Sequence, residues 1–267
     1  MTRTPNNYLV GSTIEVRDLL KRAPPRMTPL DQSLPPGNQS LAVSAKPLRV
    51  VVGQGKAAQL VDFATTTSRI VSLPGWAKTV ALSRDGSRIA VALSGPGEVL
   101  LLEWREPSPM TLPGAAGEVP SAVAFSADGR WLASAYCGGL LRIWDTGTRQ
   151  LLPDVSSRAA GMSRRCRQTA STSTVRWSMD GRRLAVAWDD GSATLHGIPE
   201  AALLATVRPG PEGTSAWVVS PRGDWQLLGD AARTDLRCLA GTRVLPFELC
   251  EPRVSWPALL DIALAGK

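Results

Sequence analysis

The sequence predicts an all-β protein made of one antiparallel unit repeated along the chain, and three observations carry that expectation. Similar stretches recur at a near-constant spacing, each stretch alternates apolar and polar residues, and each is broken by a glycine turn of one type. Composition agrees: of 267 residues, 43% are hydrophobic and 20% charged, with 24 Gly and 21 Pro to punctuate many short strands.

Residues 79–92 read TVALSRDGSRIAVA, 122–135 AVAFSADGRWLASA, and 174–187 TVRWSMDGRRLAVA. In each, period-2 alternation marks a half-buried strand, and Ser-x-Asp-Gly turns the chain into a second strand, because glycine accepts positive φ without a Cβ clash. A third strand follows in GEVLLLEW (97–104), GGLLRIWD (138–145) and DGSATLHG (190–197), and the segment Gln150–Leu152 supplies a fourth. Four short antiparallel strands make one blade of a β-propeller. Fainter copies lie at 41–53 with 55–62, at 215–228, and at 254–266, which aligns without gaps to 175–187. The turn-entry residues Ser44, Ser83, Ser126, Ser178, Ser220 and Pro257 are 39, 43, 52, 42 and 37 residues apart.

These units, with Trp144-Asp145 closing one third strand, resemble WD repeats, and the resemblance runs through nearly the whole chain. It implies a β-propeller and, for most such proteins, a role in holding partners. The chain departs from the family pattern: one unit alone ends in Trp-Asp, the opening Gly-His is absent, and Gly138 stands where Asp190 keeps the usual acid. The family's Asp-His-Ser-Trp hydrogen-bond network is therefore incomplete, and the blades depend more on apolar packing.

The expected organisation is a single propeller domain, 1–267, of six blades. Residues 40–252 form five sequential blades, 253–267 the inner strands of a closing blade, 1–22 a closing outer strand (VGSTIEVRDLL, 10–20), and 23–39 a Pro-rich linker. Closure by both ends leaves no open sheet edge to invite aggregation. A ring completed by a partner's strand, and a simple N-terminal tail, are the alternatives.

Catalysis finds no support in the sequence. No G-x-S-x-G and no phosphate-cradling G-x-x-x-x-G-K-[ST] occurs. The one histidine, His196, takes the place of a structural Trp and reads as a packing residue. Asp189-Asp190 are neighbours on a strand and turn, so they do not face one another. Cys137, Cys166, Cys238 and Cys250 lie far apart with no C-x-x-C pair, which disfavours zinc and fits a reducing compartment. No cofactor is expected. No run reaches the roughly 18 apolar residues of a membrane helix, and Met1–Arg22 lacks a signal-peptide core. An intracellular, soluble protein is expected, with a propeller enzyme as the last of the alternatives.

Binding residues are read from placement. Of nine Trp, Trp104 and Trp144 close third strands, Trp177 and Trp256 end first strands, and Trp217 lies within one. Trp76, in a Pro-Gly-Trp connection, and Trp131 and Trp225, just after hairpin turns, are candidate contacts, since tryptophan is enriched at binding hot spots. The 52-residue step marks an insertion. Residues 155–179 carry Arg158, Arg164, Arg165, Arg167 and Arg176 and no acid, a pattern that suits a phosphate-bearing polyanion such as RNA, or a solvated loop. A net charge of +7 suits an acidic partner, or simply keeps the protein in solution. The leading reading is a protein–protein scaffold inside a larger assembly, and the alternative is a ribonucleoprotein component gripping through that basic loop.

Overall fold

The hairpins form where the Ser-x-Asp-Gly turns place them, and one hydrogen-bond set recurs at each. In this computed structural model, residues 13–16, 26–29, 39–95, 97–112, 118–136, 139–153, 155–156, 174–188, 190–209, 215–222, 225–229, 237–240 and 243–246 are described. The amides of Gly86, Gly129 and Gly181 donate to the carbonyls of Ser83, Ser126 and Ser178 at 2.8, 3.0 and 3.0 Å. The serine hydroxyls bind Asp85, Asp128 and Asp180 at 2.6, 2.5 and 2.5 Å. Gly86 has φ +68°, and a Cβ there would lie 2.7 Å from the Ser44 hydroxyl oxygen, so both the backbone and a neighbouring strand demand glycine.

All regular elements among the described residues are strands, and contacts divide the chain into two units, Met1–Gly129 and Arg130–Lys267. The first unit holds β1 (Thr13–Val16) paired with β2 (Arg26–Pro29) and two four-stranded antiparallel sheets. One sheet runs in the order β3 (Gln39–Ala45), β4 (Leu48–Gln54), β5 (Ala57–Asp62), β6 (Thr67–Ser72). The other runs β7 (Trp76–Leu82), β8 (Arg88–Ser94), β9 (Val99–Glu103), β10 (Met110–Leu112), and β11 (Pro120–Phe125) lies beside β7. Strands β3, β4 and β5 cover the fainter copy at 41–53 and 55–62.

The two sheets pack face to face. Val51, Ala58 and Leu60 of one meet Ile89, Val91, Leu93, Leu100 and Leu102 of the other in a single cluster sealed by Trp104. Each of the valine, leucine and isoleucine side chains contributes roughly 1.5–3 kcal/mol of burial. The approach is close enough that a Cβ on Gly53 would stand 2.7 Å from Val80 Cγ1. The opposite face of the first sheet presents Val50, Val52, Val61 and Phe63, and Ile14 of β1 buries against it. Gln59 adds hydrogen bonds to the Pro29 carbonyl and the Ser68 hydroxyl at 3.2 and 2.9 Å. Thus the stretch read as a closing strand is paired with β2, inside the stretch read as a linker. The segment 253–267 lies outside the described residues.

The second unit begins with β12 (Trp131–Tyr136), β13 (Leu140–Asp145) and the short β14 (Val155–Ser156), antiparallel in that order. The expected fourth strand at Gln150–Leu152 is reduced to a bridge between Trp144 and Leu151, and β14 pairs instead with the start of β13. Next comes β15 (Thr174–Trp177), β16 (Arg183–Ala187), β17 (Ala193–Gly197), β18 (Ala202–Pro209), β19 (Ser215–Val219) and β20 (Trp225–Gly229) in one six-stranded sheet. Here the fifth repeat differs from expectation. Its hairpin β19–β20 adds to β18 rather than standing as a separate sheet, because β18 runs two residues past its pairing with β17 and its last four residues, Thr206–Pro209, pair with Ala216–Val219. A further hairpin joins β21 (Arg237–Ala240) to β22 (Arg243–Pro246).

Candidate functional site

Trp76 is the one expected contact residue whose indole is described and open: it is 49% exposed. The connection that carries it is held at three points. Leu73 N donates to the Lys56 carbonyl at 2.8 Å, Ala77 N to the Gly55 carbonyl at 2.7 Å, and Gly75 lies so close to Leu93 that a Cβ would meet its Cδ1 at 3.2 Å. The indole is therefore displayed from a fixed backbone. Close to it along the backbone lie exposed Lys56, whose carbonyl binds Leu73 N, half-buried Lys78, two residues on in β7, Ser94, which is Trp76's partner across β7 and β8, and half-buried Glu98, in the loop that follows Ser94. A register shift between Ala77 and Thr79 leaves Lys78 at a bulge, a device that re-aims a side chain.

The other candidates fall differently. Trp131 is 7% exposed, with the Arg130 guanidinium 4.6 Å from its ring centre, so its indole belongs to packing. Trp225 lies on β20, paired with Val219, and only its backbone is described. Arg158, Arg164, Arg165 and Arg167 fall outside the described residues. Arg176 sits on β15, exposed, opposite Ala185.

Sequence reasoning missed a set of arginine clamps. Arg49 donates from Nε to Asp62 Oδ2 at 2.9 Å and from Nη1 to the Gly86 carbonyl at 2.9 Å, while its guanidinium lies 4.5 Å from the Trp104 ring centre. At the matching position of the next sheet, Arg88 pairs with Glu103 at 3.4 Å and donates to the Gly129 carbonyl at 3.2 Å. Each clamp ties one sheet to the following Ser-x-Asp-Gly turn. The readable signal was an arginine opening the second strand, 13 or 15 residues before an acid that closes the third.

Two of the acids that end third strands, Asp62 and Asp145, also cap the turn behind them. Asp62 Oδ1 accepts the amides of Ala64 and Thr65 at 2.9 and 3.3 Å, and Asp145 Oδ1 those of Gly147 and Thr148 at 2.9 and 3.0 Å. Burial works to raise the Asp62 carboxyl, but the Arg49 hydrogen bond and the two amides outweigh it and hold the group below the ordinary carboxylate range. For Asp145 the Thr148 amide leads and Arg130 adds, with the same net direction.

Two buried polar groups decide how the second unit differs. In its Trp-Asp hairpin, Ser134 and Trp144 are both 0% exposed, and neither the Ser134 hydroxyl nor the Trp144 indole N–H has a hydrogen-bond partner. In the next repeat, His196 holds the register position of Trp144, opposite Leu184 as Trp144 is opposite Leu132. Trp188 Nε1 donates to Thr194 Oγ1 at 3.0 Å, and His196 Nε2 lies 2.9 Å from the same oxygen. Burial depresses the imidazole to about 4, so it is neutral near pH 7. Asp190 accepts the Ser192 amide and hydroxyl at 2.8 and 2.5 Å, a turn-capping role. Among the described residues, no three His, Cys, Asp or Glu are grouped to hold a metal ion, and no helix is long and apolar enough to cross a membrane.

Comparison with known proteins agrees with this geometry. The family described as WD domain, G-beta repeat matches residues 107–145, the stretch that ends in Trp144-Asp145. No curated protein matches the chain. Among solved structures, the β-propeller domain of Cps50 (Swd1) from Myceliophteria thermophila is 19% identical with a TM-score of 0.50, covering 71% of this chain and 68% of that one. Hydrazine synthase from Kuenenia stuttgartiensis is 18% identical with a TM-score of 0.52, covering 72% of this chain and 57% of that one. In all 1395 chains of solved structures match, and a fold so widely shared selects an architecture and no activity.

Proposed function

We propose that this chain, a β-propeller whose residues 107–145 match the WD repeat, is a non-enzymatic scaffold, a subunit that holds protein partners within a larger assembly. The observation that carries this reading is Trp76, a large amphipathic side chain half exposed on a backbone pinned by Lys56, Gly55 and Leu93. A rigid, exposed indole offers contact area at little entropic cost, which is what a binding hot spot requires. The polar groups of the turns support the same reading, since Asp62, Asp85, Asp145, Asp180 and Asp190 all cap backbone or hydroxyl groups and are thereby committed to structure. A single domain with its ring closed by both ends belongs to this proposal, supported by Ile14 covering the outer face of the first sheet.

The test is affinity capture of the intact protein from native lysate at low salt, half of it treated with nuclease, with stoichiometry measured by light scattering. A defined complex that survives nuclease is the expected result. A protein that elutes alone overturns the scaffold. Partners lost with nuclease replace it with the ribonucleoprotein reading, which requires in addition that Arg164/Arg165/Arg167→Ala release them.

A further inference from the structure

We propose that Trp76, with Lys56 and Lys78, is the docking point for an acidic, extended segment of a partner protein that sets one large apolar side chain on the indole. The inference rests on the scaffold reading and names the partner's chemistry. Trp76 supplies the apolar contact, and the backbone on either side of it is held by hydrogen bonds from Leu73 and Ala77 to the Lys56 and Gly55 carbonyls. Lys56 sits on the turn whose carbonyls hold the connection to Trp76, and Lys78 at the bulge two residues on, against one acid, half-buried Glu98, in the loop that follows Trp76's cross-strand partner Ser94. An ammonium on a flexible stem serves a carboxylate without demanding a fixed geometry. The chain's charge of +7 draws the same class of partner from a distance.

The same cluster argues against a nucleic acid at this point. A single strand is gripped by successive stacking platforms joined by a basic track. Here the surrounding loops, SLPG (72–75), QGK (54–56) and SGPGE (94–98), hold neither a second aromatic nor an arginine. At Gly95, which follows Trp76's cross-strand partner Ser94 and has φ +106°, an added Cβ would meet nothing within 4 Å.

Random dodecapeptides displayed on phage are panned against the full chain and, in parallel, against Trp76→Ala. A synthetic peptide of the enriched sequence is then titrated by fluorescence anisotropy at low and high salt. The expected result is an Asp/Glu-rich consensus around one Leu, Phe or Trp, weakened on the order of thirtyfold by Trp76→Ala. Trp76→Phe restores part of the affinity, and Lys56→Glu with Lys78→Glu abolishes binding while the unfolding midpoint stays unchanged. A consensus without acidic bias overturns the proposal, as does affinity that Trp76→Ala leaves intact; in either case another face is the docking surface and the scaffold reading stands. If no peptide enriches, the proposal falls, and a protein that also purifies alone takes the scaffold reading with it.

Discussion

The hairpins β7–β8 and β15–β16 have nearly the same sequence and different surroundings. Ala90, Val91 and Ala92 of β8 are all 0% exposed, so that strand is buried on both faces. In β16 the corresponding Ala185-Val186-Ala187 alternates: Val186 is buried, while both alanines are open. The turns are the same to within tenths of an ångström, with Ser83–Asp85 at 2.6 Å and Ser178–Asp180 at 2.5 Å. Local sequence therefore sets a hairpin and its inner face, and the neighbouring elements decide whether the second face is also removed from water.

The largest expected effect tests that difference directly. Ala90→Glu places a carboxylate in a sealed core and costs about 4 kcal/mol or more, whereas Ala185→Glu stays within about 0.5 kcal/mol of the parent. Chemical denaturation of the two variants measures this, and equal losses would remove the contrast. Next is acid. His196 stands where the first unit's matching sheet has Leu102, and burial lowers its imidazole from 6.5 to about 4. Because the folded value is the lower one, stability is complete above pH 6.5 and declines as pH falls toward 4, by about 3 kcal/mol in all. Hydrogen exchange should show β16 and β17 opening at pH 5 before β8 and β9 do, and His196→Leu should abolish the difference.

A smaller loss is expected at the arginine clamp. Asp62→Ala strands Arg49 and uncaps the turn at Ala64, for about 2 kcal/mol, with the midpoint of thermal unfolding as readout. Since the folded carboxyl is held below its ordinary range, its contribution is present above that range and vanishes as pH falls through the folded value. The smallest pair separates satisfied from unsatisfied groups. Thr194→Val removes the oxygen shared by Trp188 and His196 and costs about 1–2 kcal/mol, while Ser134→Ala, removing a buried hydroxyl with no partner, costs about zero. A Ser134→Ala variant as damaged as Thr194→Val would show that its hydroxyl is bonded in solution.

The unit most legible in the sequence is not the one best satisfied in the structure. The hairpin ending in Trp144-Asp145 carries the family's signature and matches its description, yet Ser134 and Trp144 sit buried without partners. The faint copy at 41–62 has no Trp-Asp, and there Arg49, Asp62, Gly86 and Trp104 complete one another. A motif records which residues a family uses; whether their polar atoms meet depends on side chains from other repeats, 37 residues away in the case of Arg49 and Gly86. The candidate contacts divide for the same reason. Trp76 and Trp131 both begin strands, but Trp76 starts on a loop pinned beside the Gly55–Lys56 turn and remains exposed, whereas Trp131 is covered and stacked by Arg130.

By itself the sequence determined the hairpins, their turns and their period, because alternation, Asp-Gly chemistry and strand length act within about fifteen residues. Only the tertiary structure decided that β1 pairs with β2, that β18 recruits β19, that Ala90 is sealed while Ala185 is open, and that Trp76 faces solvent. Those outcomes depend on which strand edge or sheet face a distant segment reaches, and period-2 patterning leaves both faces of an alanine-rich strand equally able to be covered or left in water.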